Sequence, residues 1–310
     1  MLKGTLTAQS RPSLQAKFNQ YLARNVYRRV LYRVMWCALF AAAQCSAATR
    51  YFDTELSYVH EHNLAHAASL SEALDDDVVL ARASANWLQP AESRGGLLAS
   101  LAGEYQRYTH WQALSRALLS GQLVYRHKPS LAFNAPWFEA SVSGVLRQFQ
   151  DSAMRDGGRL AFETATGSAL TDRINLRLAY RFALDRSWHG SVFDAQTHRV
   201  YGNVDWRMER TTFYTTLAWQ HGDIVSSVTE NAALDRVARA QARDSALADN
   251  QRTRIAYRFD ADTLSAVAGV NFTLAPGLAL DVSALYFDAD GETGAHYRGY
   301  RVTAGVLYRF

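Results

Sequence analysis

The residues best suited to chemistry fall into three groups. His189 and Ser191 stand two apart, between Trp188 and Val192. On a strand they would project from one face, where the imidazole could act as base toward the hydroxyl as nucleophile. His60, His62 and His66 form a second group that could offer imidazoles to zinc or copper. The spacing is not that of a helical two-histidine zinc site, because Leu64 stands where the second histidine is needed. Loop histidines without fixed partners bind metal weakly, so a solvated loop is the default expectation and no metal or other cofactor is predicted. The third group interleaves arginines with acids and amides: Arg82, Glu104, Gln122, Arg126, Glu139, Arg147, Arg159, Glu163, Arg177, Arg181, Asp205 and Arg207. Gathered on one face, these would line a polar interior. They could act there as charge rings that select solutes, or as arginine–carboxylate networks that hold the interior closed.

The elements that would position these groups are strands. Segments of about ten residues with period-two alternation recur from residue 50 to the end, which is the signature of transmembrane strands. Leu97, Ala99, Leu101, Gly103 and Tyr105 share one face, as do Phe138, Ala140, Val142, Gly144 and Leu146. In the stretch from Ile174 to Phe182, apolar positions alternate with Asn175, Arg177 and Arg181. Twelve such segments predict an all-β fold, a closed antiparallel transmembrane barrel spanning residues 48–310. Connections at 89–95, 127–136, 168–172, 209–210 and 275–277 are mostly short, and those at 61–77, 184–197 and 227–251 are longer. That asymmetry places both ends of the barrel chain in the periplasm and the long loops outside. Aromatic residues then form two girdles: Trp87, Tyr125, Phe138, Trp206, Phe272 and Phe310 on the periplasmic side, and Tyr58, Tyr105, Tyr180, Trp219, Tyr286 and Tyr300 on the other. The 229–250 stretch carries a helical stripe of Leu234, Val237, Ala238 and Gln241. A solvated surface helix is its default reading, and a plug in the lumen or a cover over the outer mouth is the alternative.

The front of the chain differs from the rest. Lys3, Arg11, Lys17, Arg24, Arg28, Arg29 and Arg33 occur in residues 1–47 without any acid, followed by an apolar run from Val34 to Ala43 and small residues at 46–48. This order predicts a cleavable secretory signal, and the apolar run is too short for a membrane-crossing helix. The net charge of +4 therefore resides in the front segment, leaving residues 48–310 slightly acidic. A slightly acidic chain lacks the basic face that nucleic-acid binding requires. Cys37 and Cys45 also lie in the front segment, so removing it leaves no thiol. No glycine-rich phosphate loop or dinucleotide fingerprint stands between a strand and a helix.

The last fourteen residues, Tyr297 to Phe310, alternate apolar Tyr300, Val302, Ala304, Val306, Tyr308 and Phe310 with Arg301, Thr303, Gly305 and Arg309. This segment resembles the final strand of Gram-negative outer-membrane β-barrels. The resemblance implies residence in the outer membrane, surrounded by its lipid and lipopolysaccharide. It also implies that the barrel-assembly machinery reads Tyr308 and Phe310. The spacing of His189 and Ser191 resembles the His-x-Ser arrangement of outer-membrane phospholipases and lipid A deacylases, although the Asn and Gly that surround the phospholipase serine are absent. The readings that follow are a passive porin-like channel for small polar or anionic solutes or a structural barrel, then a lipid hydrolase, then a protein that binds partners through its outer loops. Oligomeric state is left open.

Overall fold

In a computed structural model, residues 49–69, 71–91, 94–248, 252–292 and 296–310 are described. The signal segment expected over residues 1–47 lies outside them. The strands are β1 (Thr49–Glu61), β2 (Asp76–Ala91), β3 (Gly95–Tyr108), β4 (Arg116–His127), β5 (Trp137–Phe149), β6 (Gly157–Ala169), β7 (Ile174–Ser187), β8 (Ala195–Arg207), β9 (Thr211–Val228), β10 (Ala240–Arg243), β11 (Ile255–Ala275), β12 (Leu278–Gly291) and β13 (His296–Arg309). Each long strand pairs antiparallel with its neighbours, β9 passes directly to β11, and β13 pairs with β1 from Asp53↔Arg309 to Glu61↔Arg301. The result is a closed barrel of twelve strands. β10 is an addition that pairs Ala240–Arg243 with Ile255–Arg258 at the start of β11.

Both Thr49 and Phe310 lie at the end where connections are short. One of these is the Pro276-Gly277 turn, where Gly277 has φ +77° and an added Cβ would meet the Arg309 carbonyl oxygen at 2.5 Å. The opposite end carries 62–75, 109–115, 150–156, 188–194 and 229–254, of which the first and last are long, whereas the longest connection at the Thr49 end is 128–136. β7 and β8 run further than their sequence pattern indicated, which shortens the expected 184–197 connection to 188–194.

Alternation sends apolar side chains outward. Leu56, Leu178 and Leu217 are among many large apolar residues exposed on the wall, far more than a water-soluble surface carries. Eleven of the twelve residues expected in the two girdles are at least 40 % exposed, and Trp87 is half-buried. Rings with an apolar body and polar tip favour the membrane interface, so the two rows mark the edges of an apolar band.

Beyond the long-loop girdle the faces exchange character. On β11, Leu264 and Ala266 point out while Thr263 and Ser265 point in, yet nearer the long-loop end Tyr257 and Phe259 turn inward and are fully buried. On β12 and β13, Ala289 and Tyr297 likewise turn inward, while Asp288 and Arg298 face out and pair at 3.0 Å. Strands that rise out of hydrocarbon into water must place polar groups outside and apolar groups inside, as any water-soluble sheet does. The inversion therefore locates the edge of the apolar band independently of the aromatic rows.

The apolar wall gives a directional test. Leu217 lies between Phe213 and Trp219 on the outward face, so Leu217→Arg in a lipid bilayer is expected to destabilise the folded barrel by about 2–4 kcal/mol. Its inward neighbour Thr216→Gln is expected to change stability by less than about 1 kcal/mol. Urea unfolding in liposomes reads both, and equal effects would contradict the facing described.

Candidate functional site

The inward face collects the charged residues that the alternation singled out. Arg126 on β4 donates to Glu139 on β5 at 2.8 and 3.1 Å, and its guanidinium lies over Trp137. Glu139 also accepts from Arg177 on β7 at 2.9 Å; Arg177 reaches Glu163 on β6 and the Tyr201 hydroxyl on β8, each at 2.6 Å. Nearer the long-loop end, Asp185 receives Arg147 at 2.6 Å and Arg159 at 2.9 Å. Arg82 stands 3.9 Å from Glu104. Arg82–Glu104, Arg126–Glu139 and Arg159–Asp185 are direct cross-strand partners, whereas Arg177–Glu139 and Arg147–Asp185 reach across β6 between β5 and β7. Shared carboxylates let one acid serve two guanidiniums, which keeps both charges hydrogen-bonded along the inner wall.

Three residues of the expected set stand apart. Arg181 faces Arg199 directly across the β7–β8 pairing, and Asp205 and Arg207 lie towards the short-turn end. None of these makes an ion pair among the described residues. Several interior groups escaped the sequence reading, including Asp53 with Arg309 at 2.7 Å, Glu61 with Arg301 at 2.6 Å, Arg199 and Tyr201. The signal was available, since Arg199 and Tyr201 continue the same alternation as Asp205 and Arg207.

The interior is not filled. A cavity of about 400 Å³ towards the long-loop end is lined by Arg116, Arg147, Arg159, Asp185, Gln220 and Thr263, among others. A second, of about 630 Å³, lies towards the short-turn end between Asp53, Glu55, Arg82, Gln122, Asn271 and Arg309.

Over the first cavity sits a cap. Val59, Val78, Tyr108, Val228, Tyr257, Phe259, Ala289 and Tyr297 from the strand ends pack with Ala65, Ala67, Leu114, Leu234, Ala246 and Leu247 from the loops. This overturns two expectations. The 229–250 stretch is not a solvated surface helix: α1 (Ala232–Val237) is capped by the Asn231 side chain, buries Leu234, and is followed by buried Asp244, Ala246 and Leu247. Its polar residues suggested solvation, but enough small and apolar residues remain to seal a mouth. The 61–77 loop is not solvated either, with Asn63, Ala65 and Ala67 buried. Asn63 donates to the Arg298 carbonyl at 2.7 Å and Ser227 N–H donates to the Ala65 carbonyl at 2.8 Å, so this loop is tied to β13 and β9.

Arg155 and Asp244 staple the cap. The guanidinium makes two 2.7 Å hydrogen bonds to the carboxylate, which also accepts from the Ser227 hydroxyl at 2.6 Å. Arg155 lies over the Phe193 ring as well, joining the 150–156, 188–194 and 229–254 connections. Burial by itself would raise the Asp244 carboxyl, but the Arg155 charge and the hydrogen bonds from Arg155 and Ser227 hold it below the usual carboxylate range.

The three histidines do not converge. His60 pairs with Asp77 at 2.9 Å, His62 stacks on Tyr300, and His66 contacts the Val225 carbonyl at 3.2 Å. Among the described residues no three His, Cys, Asp or Glu side chains are grouped to hold a metal ion. His189 and Ser191 sit in the 188–194 connection, so the shared strand face that would align base and nucleophile does not exist. No hydrogen bond joins their side chains; the Ser191 carbonyl accepts from Asp194 N–H and His189 N–H donates to Ser187. At the opposite end, Phe310 N–H donates to the Phe52 carbonyl at 2.9 Å and the Phe310 ring packs edge-on against Tyr308.

Neither a protein-family model nor a curated relative matches the chain. Solved structures do match in fold. An outer-membrane channel from Pseudomonas putida aligns with a TM-score of 0.51 at 8 % identity, covering 86 % of this chain and 97 % of that one. The KdgM porin aligns at 0.39 with 11 % identity, covering 83 % and 99 % respectively. The β domain of the Bordetella autotransporter BrkA aligns at 0.43 with 12 % identity, covering 86 % and 100 %.

The staple predicts how the cap responds to mutation and acid. Arg155→Met leaves a buried carboxylate unpaired and is expected to cost the cap about 3–5 kcal/mol, read as faster proteolysis within residues 229–248 while the strands stay protected. Asp244 has a depressed folded pKa, so its contribution is complete above the unfolded value and is lost only as pH falls through the folded one. The segment should therefore stay protected down to the ordinary carboxylate range, about pH 4, and become cleavable below it. Loss of protection near neutral pH would contradict the assignment.

Proposed function

We propose that this chain is an outer-membrane channel for small polar or anionic solutes, with the loop cap as the constriction at its outer mouth. The carrying observation is the contrast between the two faces of one sheet. Outside, an apolar band between aromatic rows suits lipid; inside, two cavities are walled by arginines, carboxylates and amides that suit water and solute. The fold shared with an outer-membrane channel supports the same reading. In this proposal residues 1–47 direct export, the short turns and both ends of the barrel chain face the periplasm, and Tyr308 and Phe310 present the terminal strand to the assembly machinery.

A pore of this kind works through its walls. Arg126, Arg147, Arg159 and Arg177 are neutralised by shared carboxylates, which fixes their positions and keeps the field moderate. The arginines without carboxylate partners then bias the lumen towards anions. The cap favours a second reading, a closed barrel whose role is structural, because its apolar packing spans the mouth.

Planar-bilayer recording separates the two. Wild-type protein is expected to give small, infrequent, anion-preferring openings. Deleting residues 232–248 is expected to raise conductance at least several-fold. Absence of current from both proteins, with folded barrel verified by circular dichroism, would leave only the structural reading.

A further inference from the structure

The least satisfied charges in the interior lie side by side. Arg181 on β7 and Arg199 on β8 are direct cross-strand partners on the inward face. Like charges in that relation repel, and neighbouring strands hold the two Cβ atoms only about 4.5–5.5 Å apart. Neither guanidinium has a carboxylate within ion-pair distance among the described residues. The nearest acid by register, Glu163 opposite Arg181, is already held by Arg177 at 2.6 Å. The Tyr201 hydroxyl accepts from Arg177, so Tyr201 offers Arg199 only its ring, 5.4 Å from the guanidinium carbon to the ring centroid. The Arg199 Nε is shielded from solvent and has no hydrogen-bond partner. The inward row continues from Arg199 to Gln220 on β9 and Thr263 on β11, both on the wall of the 400 Å³ cavity. Four adjacent strands thus present two guanidiniums, an amide and a hydroxyl at one level, with no acid among them.

We infer that Arg181, Arg199 and Gln220 form a binding site for the oxyanion group of a solute, a carboxylate or a phosphate, inside the barrel. An anion bridging the two guanidiniums would replace repulsion by charge-assisted hydrogen bonds, and the fork geometry of arginine suits both groups. Gln220 would supply a neutral donor from the cavity side, positioning the remainder of the solute in the open volume. The inference rests on the interior being an aqueous lumen, and it does not require that current flows.

The test uses refolded full barrel in detergent, with the thermal unfolding midpoint followed against potassium citrate or potassium phosphate at ionic strength matched by potassium chloride. Wild-type protein is expected to gain about 3 °C, saturating in the low-millimolar range, and the more effective of the two salts identifies the group. Arg181→Gln and Arg199→Gln should abolish the saturable gain and, without either salt, be no less stable than wild type because the repulsion is gone. Gln220→Leu should weaken the gain while leaving both charges, and it serves if either arginine variant fails to fold. General salting effects are common to all proteins in the set, so a wild-type gain no larger than that of the variants overturns the site. Saturable binding without bilayer current would retain the site and remove the channel; current without binding would do the reverse.

Discussion

Hydrocarbon cannot hydrogen-bond to a peptide group, and every other feature of this molecule follows from that constraint. A sheet placed in lipid must leave no edge, so the last strand has to return to the first, as β13 does along β1. Once the sheet is closed, each strand has one face toward lipid and one toward the interior, and the period-two pattern of the sequence divides accordingly. The exchange of faces above the long-loop girdle is the same rule with water as the outside solvent. Leu264 and Phe259 lie five residues apart on β11, point to opposite sides, and are both apolar because their surroundings differ.

The interior is organised by two different solutions to burial. In the middle of the barrel, polarity is retained and satisfied: Glu139 and Asp185 each serve two arginines, so few charged groups stand alone. At the long-loop end, apolar packing dominates, and tyrosines, Phe259, valines, leucines and alanines from strand ends and loops make a core in which buried Asn63 and Asp244 are hydrogen-bonded. The Arg155–Asp244 pair lies at the boundary between these regimes, which is why one ion pair can bear on three connections. Arg181 and Arg199 fit neither solution, and that misfit marks them out.

The sequence made the wall legible because lipid imposes a strict rule residue by residue. Twelve long strands, the girdles and the inward placement of the arginine and acid set could all be read from parity. The loops were not legible, since no periodicity constrains them and their burial depends on partners distant in the chain. Asn63 looks like any loop asparagine until Arg298 is brought beside it by closure of the barrel. A clue to the cap did exist in the sequence Tyr257-Arg258-Phe259-Asp260, whose apolar parity is opposite to that of Leu264 and Ala266 further along the same strand. His189 and Ser191 misled for the converse reason, because their spacing has meaning only on a strand and the strand ends at Ser187.

The bonds from Asn63 to Arg298 and from Ala65 to Ser227 link the first connection of the chain to strands made near its end. Contacts so distant in sequence carry a large loop-closure entropy and gain nothing until the intervening chain is arranged. Sealing of the mouth is therefore a late event in folding, conditional on a completed ring. A barrel still being built is a tube open at both ends, and the lid certifies that construction has finished.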